Sequence, residues 1–212
     1  MYTFRMTRGK ALQPGRHYHV YNRGNNRQAV FLEPRNYAYF LRLYAHHILP
    51  VTDTYAFCLM PNHFHLSIRT KTEAELLQGS DRSERSDPYD PSTALTRAFQ
   101  SLFMAYTQAI NKAHARSGRL FQEHFGRIEI TSASYFTNLV AYIHLNPKRH
   151  GFVADFREWQ WSSYQALTVR SNTQLKRDQT LEWFGGVAQF VNFHCHAVDE
   201  SLIAPLIEDD LL

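Results

Sequence analysis

Cysteine is nearly absent from this sequence: Cys58 and Cys195 are the two in 212 residues. So few thiols, with no paired ligand spacing, exclude a disulfide framework and a cysteine-built zinc site. They fit inert side chains in a reducing cytosol. Long apolar runs are also missing, because His, Arg, Asn or Asp interrupts every stretch well short of a membrane span. The opening MYTFRMTRGKALQPG holds basic residues with no apolar segment behind them, which is not the pattern of a signal peptide. Acidic residues do not occur before Glu33, whereas Arg5, Arg8, Lys10, Arg16, Arg23 and Arg27 do. Basic residues are absent from 199–212, where Asp199, Glu200, Glu208, Asp209 and Asp210 stand. The net charge of +4 is therefore weighted to the front, which suits a polyanion partner.

What is present is an alternation of strand and helix patterns. HYHVYNRG (17–24) alternates, with His17, His19 and Tyr21 on one face and Tyr18, Val20 and Asn22 on the other. Asn36 is placed to cap a helix reaching about Leu49, and TYAFCLM (54–60) and HFHLSIRT (63–70) read as strands joined at Pro61-Asn62. The polar stretch GSDRSERSDPYDPS (79–92) reads as an internal loop. Ser92 or Thr93 then caps a long helix carrying Leu95, Phe99, Leu102, Tyr106 and Ile110, with Gly118 ending it. Residues 119–131 read as extended, and 132–146 as a helix stopped by Pro147. The order predicts an α+β fold, a sheet with helices packed on one face. A first domain would span 1–167, followed by a C-terminal extension, 168–212, with an acidic tail; beyond Pro147 the chain carries the aromatic stretch FREWQWSSYQAL and one or two short helices.

Three His-x-His pairs occur, His17/His19, His63/His65 and His194/His196, where composition alone predicts about one. Strand context favours the middle pair. Two apart in a strand, His63 and His65 project from the same face, while Phe64, Leu66 and Ile68 pack the other. Two imidazoles on a rigid surface suit one divalent cation. In the helix 132–146, Phe136, Leu139, Val140 and Ile143 form a core stripe, and Tyr135, Tyr142 and Asn146 run along its edge. Asn146 can supply the oxygen ligand that the His pair lacks, leaving Tyr142 one turn away. A phenol is a poor nucleophile at neutral pH, and a cation polarising a phosphate lowers the demand on it.

The segments HVYNRGNNRQAVF (19–31), FCLMPNHFHLSI (57–68), GRLFQEHF (118–125), YIHLNPKRHGFV (142–153) and WQWSSYQAL (159–167) resemble the REP-associated tyrosine transposases. These are part of the single-tyrosine HUH transposases of bacterial insertion sequences. The resemblance implies His63 and His65 as metal ligands, Tyr142 as nucleophile and Asn146 as a third, polar ligand. Its further implications are a ferredoxin-like antiparallel sheet, Mg²⁺ or Mn²⁺, and cleavage and rejoining of single-stranded DNA through a 5′-phosphotyrosine. The partner it implies is a repetitive extragenic palindrome hairpin, bound by a monomer or homodimer in the bacterial cytoplasm, at the nucleoid. Lys148-Arg149 departs from the pattern, which commonly has an apolar residue and then a basic one.

Basic residues suited to phosphates are Arg16, Arg23, Arg27, Arg116, Arg119, Arg127, Lys148 and Arg149, with Tyr18, Tyr21, Phe121 and Phe125 among them as stacking candidates. Competing readings are a replication initiator or relaxase, a nucleic-acid-binding module without catalysis, and a metal-dependent hydrolase using water.

Overall fold

The computed structural model describes residues 11–78, 90–170, 172–196 and 198–203. Most of the polar 79–92 stretch, the first ten residues and the acidic stretch from 204 lie outside these described residues. Strands β1 (His17–Arg23), β2 (Thr52–Met60), β3 (His63–Thr70) and β4 (Gly126–Glu129) form an antiparallel sheet in the order β2-β3-β1-β4. Helix α1 (Pro34–His47) connects β1 to β2, and α2 (Glu73–Gln78) and α3 (Pro91–Ala113) precede β4. Helix α4 (Ala133–Arg149) follows the last strand, then α5 (Tyr164–Thr168), α6 (Arg177–Phe184) and α7 (Val187–His196). This βαββαβ order and sheet are the ferredoxin-like arrangement, as expected.

The helices, however, cover both faces of the sheet rather than one. Tyr18, Val20, Phe64, Leu66 and Ile68 share one buried cluster with Phe40 of α1 and Phe99 and Leu102 of α3. On the opposite face, Ala56, Cys58 and Met60 pack against Phe136, Leu139 and Ile143 of α4. Both faces of β3 are buried for this reason, and the two histidines point at α4. Phe64 is fully buried between Phe40 and Phe121, contributing about 1.5–3 kcal/mol and fixing the pleat that aims His63 and His65. Residues of α7 join the α4 cluster through Phe190, so the C-terminal extension rests on the same core.

Several helix ends differ from expectation. Glu33, not Asn36, caps α1; Asn36 sits three residues later and accepts from the Leu32 and Glu33 amides in a reciprocal box. Asp90 caps α3, accepting from the amides of both Ser92 and Thr93, because a carboxylate offers two acceptors at a positive helix end. That helix stops at Ala113, before Gly118. Helix α4 continues through Pro147 to Arg149: the proline forfeits one amide donor, and packing on the sheet outweighs that loss. Of the extended 119–131 run only Gly126–Glu129 is strand, with Phe121 making an isolated bridge to Gly24.

The outer edge of β2 is closed by the WQWSSY segment. Trp159 Nε1 donates to Leu59 O, the Leu59 amide donates to Trp161 O, the Ser163 amide donates to Phe57 O, and the Phe57 amide donates to Ser163 Oγ. An exposed edge strand is thereby removed.

Candidate active site

His63 and His65 are 3% and 1% exposed, with ring centroids 5.2 Å apart. His63 sits at the start of β3, beside the Pro61-Asn62 turn. That turn is held by the loop after β1: the Gly24 amide donates to Asn62 O at 2.7 Å, and Val30 and Phe31 both donate to Pro61 O. Gly24 is required there, because a Cβ would lie 2.0 Å from Gln28 O. Asn62 Oδ1 accepts from His63 Nδ1 at 2.6 Å, which in the neutral form of the ring leaves the lone pair on Nε2. His65 Nδ1 is 2.9 Å from Nε2 of His19, the buried histidine of the first His-x-His pair.

Helix α4 supplies the opposing wall. Tyr142, Asn146 and His150 stand one turn apart in succession. The Tyr142 ring meets His65 edge-on at 5.6 Å, and the His150 ring meets His63 at 4.9 Å. Asn146 lies between these two contacts. Its Nδ2 donates to Tyr142 O at 3.1 Å, while its Oδ1 is buried with no hydrogen-bond partner. A buried amide oxygen with no donor costs about 1–3 kcal/mol, so its retention beside two imidazoles fits a cation ligand. Among the described residues no three His, Cys, Asp or Glu side chains form a cage, which makes an amide oxygen the available third donor. Two nitrogens and a neutral oxygen suit a divalent cation such as Mn²⁺ or Mg²⁺.

Tyr142 is 1% exposed, and the Arg149 guanidinium lies 5.7 Å from its ring centroid. Tyr135, the other edge tyrosine, is buried two turns away, where desolvation drives its phenol well above the usual range. A cavity of about 750 Å³ opens beside the His pair, lined among others by Tyr21, Arg23, Arg27, His124 and Arg127. Arg127 packs over Phe125, and its buried Nε has no hydrogen-bond partner. Asn26 and Arg27 adopt left-handed backbone (φ 52° and 58°) in the turn that presents Arg27.

The other basic candidates are dispersed. Arg16 lies at the far end of β1, roughly 20 Å of strand from Arg23, and faces Glu129 at 3.9 Å. Arg119 is paired with Glu123, and Arg116 donates to Gln28 Oε1. Lys148 and Arg149 occupy the last turn of α4. Of the stacking candidates, Tyr18, Phe121 and Phe125 are buried, Phe125 within the cavity wall; half-buried Tyr21 also lines the cavity.

Residues the motifs did not single out also shape the site. His19, Asn62 and His150 are brought to it by register and helix phase. Behind α4, His144 is fully buried between Ser163 Oγ and His194 Nε2, each at 2.8 Å. His194 Nδ1 donates to Phe190 O, so its Nε2 accepts from His144 Nδ1–H, and His144 Nε2 accepts from the Ser163 hydroxyl. Both rings are therefore neutral; burial holds His144 well below its ordinary pKa and His194 at about 4.

No family model matches the chain. Over 112 residues it is 26% identical to a curated Haemophilus influenzae protein described as a REP-associated tyrosine transposase. That match covers 53% of this chain and 58% of the relative, less than two thirds of the relative's length. A solved structure of a REP-associated tyrosine transposase bound to a REP hairpin superposes with a TM-score of 0.55. It is 16% identical and spans 80% of this chain and 87% of the other. This chain is similar in sequence to one REP-associated tyrosine transposase and shares its fold with another.

Proposed function

We propose that this chain is a divalent-metal-dependent transposase of the single-tyrosine HUH type, which cleaves and rejoins single-stranded DNA at palindromic hairpins. The observation that carries the reading is the line of Tyr142 and Asn146 on α4 and His150 at its C-cap, set against His65 and His63 on β3. His63 Nε2, His65 Nε2 and Asn146 Oδ1 would hold the cation. When bound, the cation would polarise the scissile phosphate and stabilise the charge that develops on it.

The chain's own residues do the rest. Tyr142 Oη attacks phosphorus, forming an Oη–P bond as the P–O3′ bond breaks. The phenolic proton passes through solvent to the departing 3′-oxygen, which leaves as a hydroxyl. The 5′-phosphotyrosine keeps the phosphodiester energy, so a second 3′-hydroxyl can reverse the step without ATP. Arg149 lies where it can pair with the phosphate beside Tyr142. Arg23, Arg27 and Arg127 line the cavity that the flanking strand would occupy. With 1% of Tyr142 exposed, DNA binding has to uncover it.

The test is incubation with Mn²⁺ and a labelled single-stranded palindrome, followed by a denaturing gel. A protein–DNA adduct is expected, lost in both Tyr142→Phe and His63→Ala. Cleavage without an adduct would instead indicate a hydrolase, and salt-sensitive binding with neither would indicate a binding module. An adduct that survives Tyr142→Phe would move the nucleophile elsewhere.

A further inference from the structure

We infer that His19 is a positioning residue for the metal site: it sets the tautomer and the orientation of His65. The inference rests on the proposed cation site and deepens it.

His19 and His65 are both 1% exposed, on neighbouring strands, with Nε2 and Nδ1 2.9 Å apart and their rings within 14° of one plane. Their 5.1 Å centroid separation is close to the bond length plus the two ring radii. The rings therefore meet edge to edge, with the nitrogen lone pair and the N–H in line. In their neutral forms, two imidazoles so placed share one proton position. If His65 Nδ1 donates, its lone pair is on Nε2, the atom needed for a cation; if His19 donates, His65 carries a hydrogen on Nε2 and cannot ligate there. Metal-bound histidines characteristically donate their other ring N–H to a fixed acceptor. Asn62 supplies that acceptor to His63, and His19 supplies it to His65.

The acceptor is itself held in place. Tyr21 lies near-parallel to the His19 ring at 4.8 Å. The Tyr21 ring in turn lies across Gly126 of β4, where a Cβ would come within 2.1 Å of it. Glycine at 126 admits Tyr21, Tyr21 confines His19, and His19 orients His65. Strand β4, which supplies no ligand, is thereby tied to the metal site.

The experiment is Mn²⁺ titration of the DNA-free protein, by calorimetry or by loss of the free-ion EPR signal, on wild type, His19→Phe and His19→Gln. The phenylalanine removes the acceptor while filling the space, and its affinity should fall by about 10–100-fold. Glutamine places an amide oxygen near the position of Nε2 and should restore binding to within about threefold. Nitrogen-15 imidazole spectra of the metal-free wild type should show His65 protonated at Nδ1, a readout independent of whether His19→Phe folds. Equal Mn²⁺ affinity in wild type and His19→Phe, or His65 protonated at Nε2, would overturn the inference alone. A wild type that binds no Mn²⁺ would overturn the metal reading, and this inference with it.

Discussion

Replacing Asn146 by leucine separates stability from metal binding, because the two effects have opposite signs. In the metal-free protein Asn146 contributes one hydrogen bond, from Nδ2 to Tyr142 O, and leaves Oδ1 buried with no donor. The bond is worth about 0.5–1.5 kcal/mol and the stranded oxygen costs about 1–3 kcal/mol. Leucine keeps the branching at Cγ but is bulkier, and it removes both, so where the site takes up the added volume Asn146→Leu should leave the metal-free protein as stable as wild type or up to about 2 kcal/mol more stable. For a domain of this size that is a melting temperature raised by up to roughly 6 °C. Saturating metal reverses the order. At a hundredfold excess over its dissociation constant, Mn²⁺ stabilises wild type by about 2.7 kcal/mol. Loss of a ligand should weaken binding at least as much as loss of an outer partner, about 10–100-fold. Thermal melts of both proteins in EDTA and in Mn²⁺ should therefore cross. If Asn146→Leu melts well below wild type in EDTA and gains as much from Mn²⁺, the amide is an ordinary core residue and the site has been misread.

Two more expectations follow from the surface and the core. Arg127→Gln should weaken single-stranded DNA binding and reduce the salt slope of log K by about 1, since it removes one phosphate contact; an unchanged slope in binding isotherms would take Arg127 out of the DNA path. Folding stability should fall on mild acidification: His194 has a folded pKa of about 4, below its unfolded value, so the unfolded state binds the extra proton. That stability is full above about pH 6.5 and is lost as pH falls towards 4, at about 2 kcal/mol by pH 5. His144 adds to the loss in the same direction. Urea denaturation at pH 7.5 and pH 5 measures it, and equal stabilities would refute the neutral pair.

Much of the site was legible because its spacing is a local property. Alternation in HFHLSI puts both histidines on one face whatever packs against it, and a helix places Asn146 one turn beyond Tyr142 wherever that helix lies. The strands and the βαββαβ order were legible for the same reason, whereas the short α2 (Glu73–Gln78) was not. Helix ends were less so, since which residue caps is settled by competing donors and acceptors and by packing: Asp90 outcompetes Ser92 and Thr93, and α4 runs on through Pro147.

Everything that depends on which strand lies beside which was decided by the tertiary structure. In the sequence, His19 belonged to a His-x-His pair that strand context ranked below His63/His65; the antiparallel register of β1 on β3 is what brings it to His65. Composition alone could not sort the arginines, whereas the fold gathers Arg23, Arg27 and Arg127 at one cavity and leaves Arg16 a strand's length away. The sequence by itself therefore determined the reactive groups and the faces they occupy, through periods of two and 3.6. Their partners come from residues tens of positions distant, and only chain closure could choose them.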